Sequence, residues 1–125
     1  MRTWSAVLVD LVAIVVFALV GRSSHAESVD LLGLAGTAWP FLAGWLIGAV
    51  VARIWRHPVD LVTGAFVWLG TLIIGMLLRV ATGAGVQPSF VIVAAIVLAA
   101  FLIGWRAAYT LIRSRVPEKL HDPAA

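Results

Sequence analysis

The chain contains no cysteine, one tyrosine and few charged side chains. Without thiols it can form no disulfide, no thiolate nucleophile and no cysteine-bound zinc or iron–sulfur centre. Charged residues make up 12% of its 125 positions and hydrophobic residues 62%, against roughly 25% and 45–50% in a soluble domain. A soluble fold of this length has too little interior to bury that much apolar surface, so lipid must cover the remainder. The motifs of common hydrolases and phosphate-binding enzymes are missing as well. There is no His-Glu-x-x-His, no Gly-x-Ser-x-Gly, no phosphate-cradling glycine loop and no pair of carboxylates on one face. No enzymatic activity and no cofactor are expected.

The scarcity of charge is concentrated. Trp4–Gly21, Leu31–Ala52, Leu61–Leu78 and Pro88–Trp105 carry none except Asp10. Each run is long enough, at about 1.5 Å per helical residue, to cross a hydrocarbon core of about 30 Å. The pattern predicts an all-α, polytopic membrane protein with four transmembrane helices in an up–down bundle. The helices are expected at about 4–21, 31–55, 58–78 and 88–112, within one domain spanning 1–113, followed by a cytoplasmic tail over 114–125. Arg2 and Ser24-His25-Ala26 superficially match a signal peptide, but the first run is long for one and Asp10 interrupts it, so it reads as a retained helix.

The few cations orient the bundle. With the N-terminus in the cytoplasm, Arg2, Arg53, Arg56, Arg106, Arg113, Arg115 and Lys119 lie inside, and only Arg22 and Arg79 lie outside. The positive-inside rule therefore predicts the cytoplasmic (inner) membrane with both termini cytoplasmic. Trp4, Trp55, Trp105 and Tyr109 fall near the inner interface and Trp39 near the outer one, as aromatic anchors do. The isoelectric point near 10.7 does not imply nucleic acid, because the basic residues cluster at helix ends. Membrane lipids with anionic headgroups are the expected partners.

Connections and repeats refine the picture. Arg56-His57-Pro58 reads as a tight inner turn with His57 as helix cap and Pro58 as first helical residue, and Pro88 opens the fourth helix. Asp60 then falls in the first turn of the third helix, where negative charge complements the helix dipole. Val-Asp-Leu-Val recurs at Val9 and Val59, and Trp-Arg at Trp55 and Trp105, both at an offset of 50. The repetition reads either as a parallel duplication of two hairpins or as the coincidence expected among apolar helices with Trp and Arg at their ends. Gly36, Pro40, Gly44 and Gly48 recur every four residues on the second helix, with Ala52 following. Such a stripe lets backbones approach closely, within the bundle or across a homodimer. Pro40 either kinks this helix or marks its start after an interfacial lead-in.

Two places carry polar residues that a bare four-span protein does not need. Asp10 lies about two turns into the first helix, where an ionised carboxylate costs about 2.5–3.5 kcal/mol and must pair, face the bundle or be protonated. It reads either as an ion or proton site or as a salt bridge to Arg53, Arg56 or Arg106. At the outer end, Arg22, His25, Glu27, Thr37, Trp39 and Arg79 converge in an up–down bundle. They read as a site for an anion or lipid headgroup. Alternatively, the arginines simply snorkel and Glu27 neutralises one of them. No second His or Cys stands at ligand spacing from His25, and His57 and His121 are expected on the opposite side, so no metal site is expected.

Gly21-Arg22-Ser23-Ser24-His25-Ala26-Glu27, Gly36-Thr37-Ala38-Trp39-Pro40-Phe41 and Gly75-Met76-Leu77-Leu78-Arg79 resemble a prokaryotic family of small integral membrane proteins known as domain of unknown function 3054. The likeness runs from about Asp10 to Arg106. It implies a four-helix inner-membrane protein with no assigned activity. Two functions stay open on the residues. One is a small oligomeric transport or permeation protein using Asp10 and the outer arginines, which requires a dimer because four helices seldom enclose a pathway. The other is a non-catalytic accessory protein that binds a lipid or membrane partner through its outer loop.

Overall fold

Residues 2–24 and 30–115 are described by a computed structural model. They form α1 (Thr3–Ser24), α2 (Leu31–Ala52), α3 (Leu61–Ala81), α4 (Pro88–Leu102) and α5 (Gly104–Ser114), with no strand among the described residues. α1, α2, α3 and the continuous Pro88–Ser114 run are each long and apolar enough to cross a membrane. The chain is a multi-pass membrane protein. Its large exposed side chains fit that setting, since Leu8, Leu46, Ile73 and Ile96 point away from the bundle where lipid tails would meet them.

The helix ends follow local chemistry. Asp30 caps α2, its Oδ1 accepting the Gly33 amide at 2.8 Å. α2 ends at Ala52, three residues before the expected limit. Arg53 turns left-handed (φ 55°, ψ 57°), the Ile54 amide returns to the Ala49 carbonyl, and the Ile54 side chain folds into the core. This termination normally uses glycine; here burial of Ile54 accompanies the unfavourable φ of an arginine. α3 begins at Leu61 rather than at Pro58, and Asp60, not His57, occupies the cap position. The Asp60 side chain makes no cap bond and lies 3.5 Å from His57 Nδ1 instead. At its far end α3 continues past Leu78 to Ala81, and Gly83 and Gly85 then reverse the chain with positive φ. The last span is interrupted at Ile103, where the Arg106 guanidinium takes the Leu102 carbonyl.

α1 packs on α2, α2 on α3 and α3 on α4, and α4 returns to α1, so α1–α2–α3–α4 form a ring. α2 and α3 are the closest pair. Gly44 and Gly48 of α2 lie directly on the backbone of Gly70, Phe66 and Val67 of α3, leaving no room for a Cβ. Pro40 lies buried inside α2, which is continuous through it. Gly36 departs from the expected packing stripe: among the described residues nothing lies within 4 Å of its missing Cβ. The rest of the core is aromatic and aliphatic. Phe17, Phe41 and Phe90 meet at 5.2–6.5 Å between ring centroids, and Trp68 Nε1 of α3 donates to the Ala95 carbonyl of α4 at 2.9 Å.

Candidate functional site

Two polar loci survive inside this apolar ring, at opposite ends. The first is built around Asp10. Its Oδ1 accepts from Arg106 Nη1 and from the Trp105 indole, both at 2.8 Å. Its Oδ2 accepts from Arg106 Nη2 at 2.8 Å and from the Trp45 indole at 2.9 Å. Arg106 completes its own set by donating from Nε to the Pro58 carbonyl at 3.0 Å and from Nη1 to the Leu102 carbonyl at 2.8 Å. Both charged side chains are fully buried, and no buried side-chain nitrogen or oxygen lacks a partner among the described residues. The cluster therefore joins α1, α2, the α2–α3 turn and the α4–α5 junction. Gly64 of α3 makes room for it: a Cβ there would come within 3.0 Å of Arg106 Cδ.

Chemically this is a neutral, bidentate ion pair with two further neutral donors on the carboxylate. All the directions from which a carboxylate readily accepts are filled. Of the three arginines that sequence reading offered to Asp10, Arg53 and Arg56 are exposed and Arg106 is the partner. The two indoles are the unforeseen members. Trp105 reads from sequence as an interface anchor and Trp45 carries no assigned role, although a buried indole N–H usually finds an acceptor.

The second locus is a cavity of about 610 Å³ at the opposite end, between the last turn of α1, the first turns of α2, the end of α3 and the Ala84–Gln87 turn. Arg22 and Arg79 both line it, from α1 and α3. Arg22 Nη1 donates to Thr37 Oγ1 at 2.8 Å, which fixes the guanidinium toward α2. Arg79 Nε donates to the Gly85 carbonyl at 3.3 Å, and its guanidinium carbon lies 4.8 Å from the centre of the Phe90 ring. Gly33 and Gly36 give this chamber its floor on α2, which accounts for a Gly36 that packs against nothing. Asp30 approaches Arg22 across Gly33 near the rim, and among the described residues no carboxylate lines the cavity itself.

The other residues read as candidates fall differently. Trp39 is 45% exposed and does not line the cavity. It stands two positions from Thr37, about 200° around the helix, and so faces outward. His25 and Glu27 lie outside the described residues, as do Lys119 and His121. Among the described residues no group of three His, Cys, Asp or Glu side chains could hold a metal ion. The polar cavity was legible as a convergence of arginines; the roles of Phe90 and the Gly85 carbonyl in holding Arg79 depend on the turn geometry and carried no sequence signal.

Comparison with known proteins adds a family and nothing more specific. The family model described as a protein of unknown function (DUF3054) matches residues 7–109, which include both loci. No curated protein and no solved structure matches the chain.

Proposed function

The chain belongs to the DUF3054 family of proteins of unknown function, and we propose that it acts as a non-catalytic membrane protein that binds an anionic group in its outer cavity. The observation that carries this reading is that Arg22 from α1 and Arg79 from α3 line one cavity, with no carboxylate among its described lining residues. Guanidinium groups present donors in a fixed fork that suits carboxylate and phosphate oxygens, and the apolar surroundings strengthen such contacts. We further propose that this end faces outward from the cytoplasmic membrane, with both termini cytoplasmic, on the distribution of lysine and arginine.

Transport through a dimer, the other reading, would use Asp10 as an ion or proton site. Its support is thinner. A proton or cation reaching Asp10 must displace Arg106 or an indole from an already saturated carboxylate, leaving a buried charge or a buried N–H without its partner.

The test is titration calorimetry of the delipidated protein in neutral detergent with glycerol phosphate. Saturable binding is expected, weakened about tenfold to a hundredfold by Arg79→Gln, as loss of a charge-assisted hydrogen bond implies. Equal binding by wild type, Arg79→Gln and Arg22→Gln would overturn the proposal, as would no binding at all.

A further inference from the structure

The polar chamber has a neighbour. A second hollow of about 200 Å³ lies in the seam between α1 and α4, lined by Val20 from α1 and by Val93, Val97 and Phe101 from α4. Phe17, Gly21, Gln87 and Phe90 line both hollows, so the two adjoin across a shared wall. The chemistry changes along the way. The upper chamber holds the two guanidiniums and Thr37; the lower hollow, below Ser89 at its mouth, is apolar. Ser89 and Phe101 are twelve residues apart, about 18 Å along a helix, close to one leaflet of a hydrocarbon core about 30 Å thick. Val20 and Val93 are each 55% exposed, so the seam opens sideways to the bilayer.

We infer that the occupant of the cavity is an anionic membrane lipid, its headgroup between Arg22 and Arg79 and one acyl chain in the groove between α1 and α4. This rests on the anion-binding reading above and deepens it by naming the ligand class. Charge complementarity selects the headgroup, since a cationic chamber discriminates against zwitterionic lipids. The groove adds no net hydrophobic gain, because the chain leaves one apolar environment for another. It contributes dispersion contacts with Phe17, Phe90 and Phe101 and a lateral entry, so the ligand arrives from the membrane and not from water.

Native mass spectrometry of the purified protein with phosphatidylglycerol, phosphatidylcholine and water-soluble glycerol phosphate tests this. Wild type is expected to retain phosphatidylglycerol at least about tenfold more tightly than phosphatidylcholine, a margin of about 1.4 kcal/mol. Val97→Trp, which fills the groove, should lose that retention while keeping its affinity for glycerol phosphate; Arg79→Gln should lose both. If Val97→Trp retains phosphatidylglycerol as wild type does, the lipid inference fails and the anion site stands. If Arg79→Gln changes neither ligand, both fail. Because the chain has no cysteine, Val97→Cys can carry a single benzophenone label. Cross-linking of that label to phosphatidylglycerol in preference to phosphatidylcholine supports the inference should Val97→Trp fail to fold, and equal cross-linking to both lipids overturns it.

Discussion

Arg106 grips Asp10 with both of its Nη groups, each 2.8 Å from a different carboxylate oxygen, and both side chains are fully buried. The two residues stand 96 positions apart and tie the first span to the last. In an apolar bundle such a pair fixes rotation and depth of the helices, since any slip strands a charge in hydrocarbon.

Breaking one side of this pair should therefore cost stability steeply. Asp10→Ala and Arg106→Ala are each expected to lose about 3–5 kcal/mol, because the surviving charge stays buried without a partner. The double variant Asp10→Leu with Arg106→Leu should lose less than the two single losses added together. Thermal unfolding in detergent, followed by size-exclusion chromatography, measures all three; strict additivity would show that the two residues do not act as a pair.

The indole donors should matter individually but less. Trp45→Phe and Trp105→Phe each remove one hydrogen bond to the carboxylate while keeping an aromatic ring. Each should destabilise by about 1.5–3 kcal/mol, the range for hydrogen bonds to charged groups. Trp4→Phe, at an 82% exposed position, is the matched control and should be silent in the same melts.

Glycines of one stripe should respond in opposite ways. Gly44→Leu drives a side chain into the backbone of Gly70 and should cost at least about 1–3 kcal/mol by overpacking. Gly36→Ala meets nothing within 4 Å and should be neutral or stabilising by up to about 1 kcal/mol, from helix propensity alone. Equal destabilisation by the two substitutions would mean that the stripe packs along its full length.

Single-cysteine accessibility tests the proposed orientation. In the cysteine-free chain, Gly83→Cys at the α3–α4 turn should react with a membrane-impermeant maleimide added to intact cells, and Arg115→Cys beyond α5 should react only after permeabilisation. The reverse pattern would invert the protein in the membrane.

Much of this architecture is legible from the distribution of charge. The four uncharged runs predict the four spans, and the cost of a buried Asp10 demands a partner whose candidates include Arg106. What distribution cannot convey is helix rotation. Trp105 and Trp45 aim at Asp10 only because of how α2 and the α4–α5 junction are turned, and Trp39 faces outward for the same kind of reason. Ala52 ends α2 early because Ile54 tucks under it, a tertiary effect with no glycine to announce it. The repeated Val-Asp-Leu-Val and Trp-Arg motifs sit in different settings: Asp10 is buried on Arg106, whereas Asp60 is exposed beside His57, and Arg56 is exposed.

The proposed anion site depends on arginine geometry as well as on charge. The decisive measurement is equilibrium binding of glycerol phosphate to wild type, Arg79→Lys and Arg79→Gln, with melting temperatures taken in parallel. Affinity should fall in that order at constant stability, lysine keeping the charge but not the fork. Identical affinities across the three would mean that Arg79 does not hold the anion.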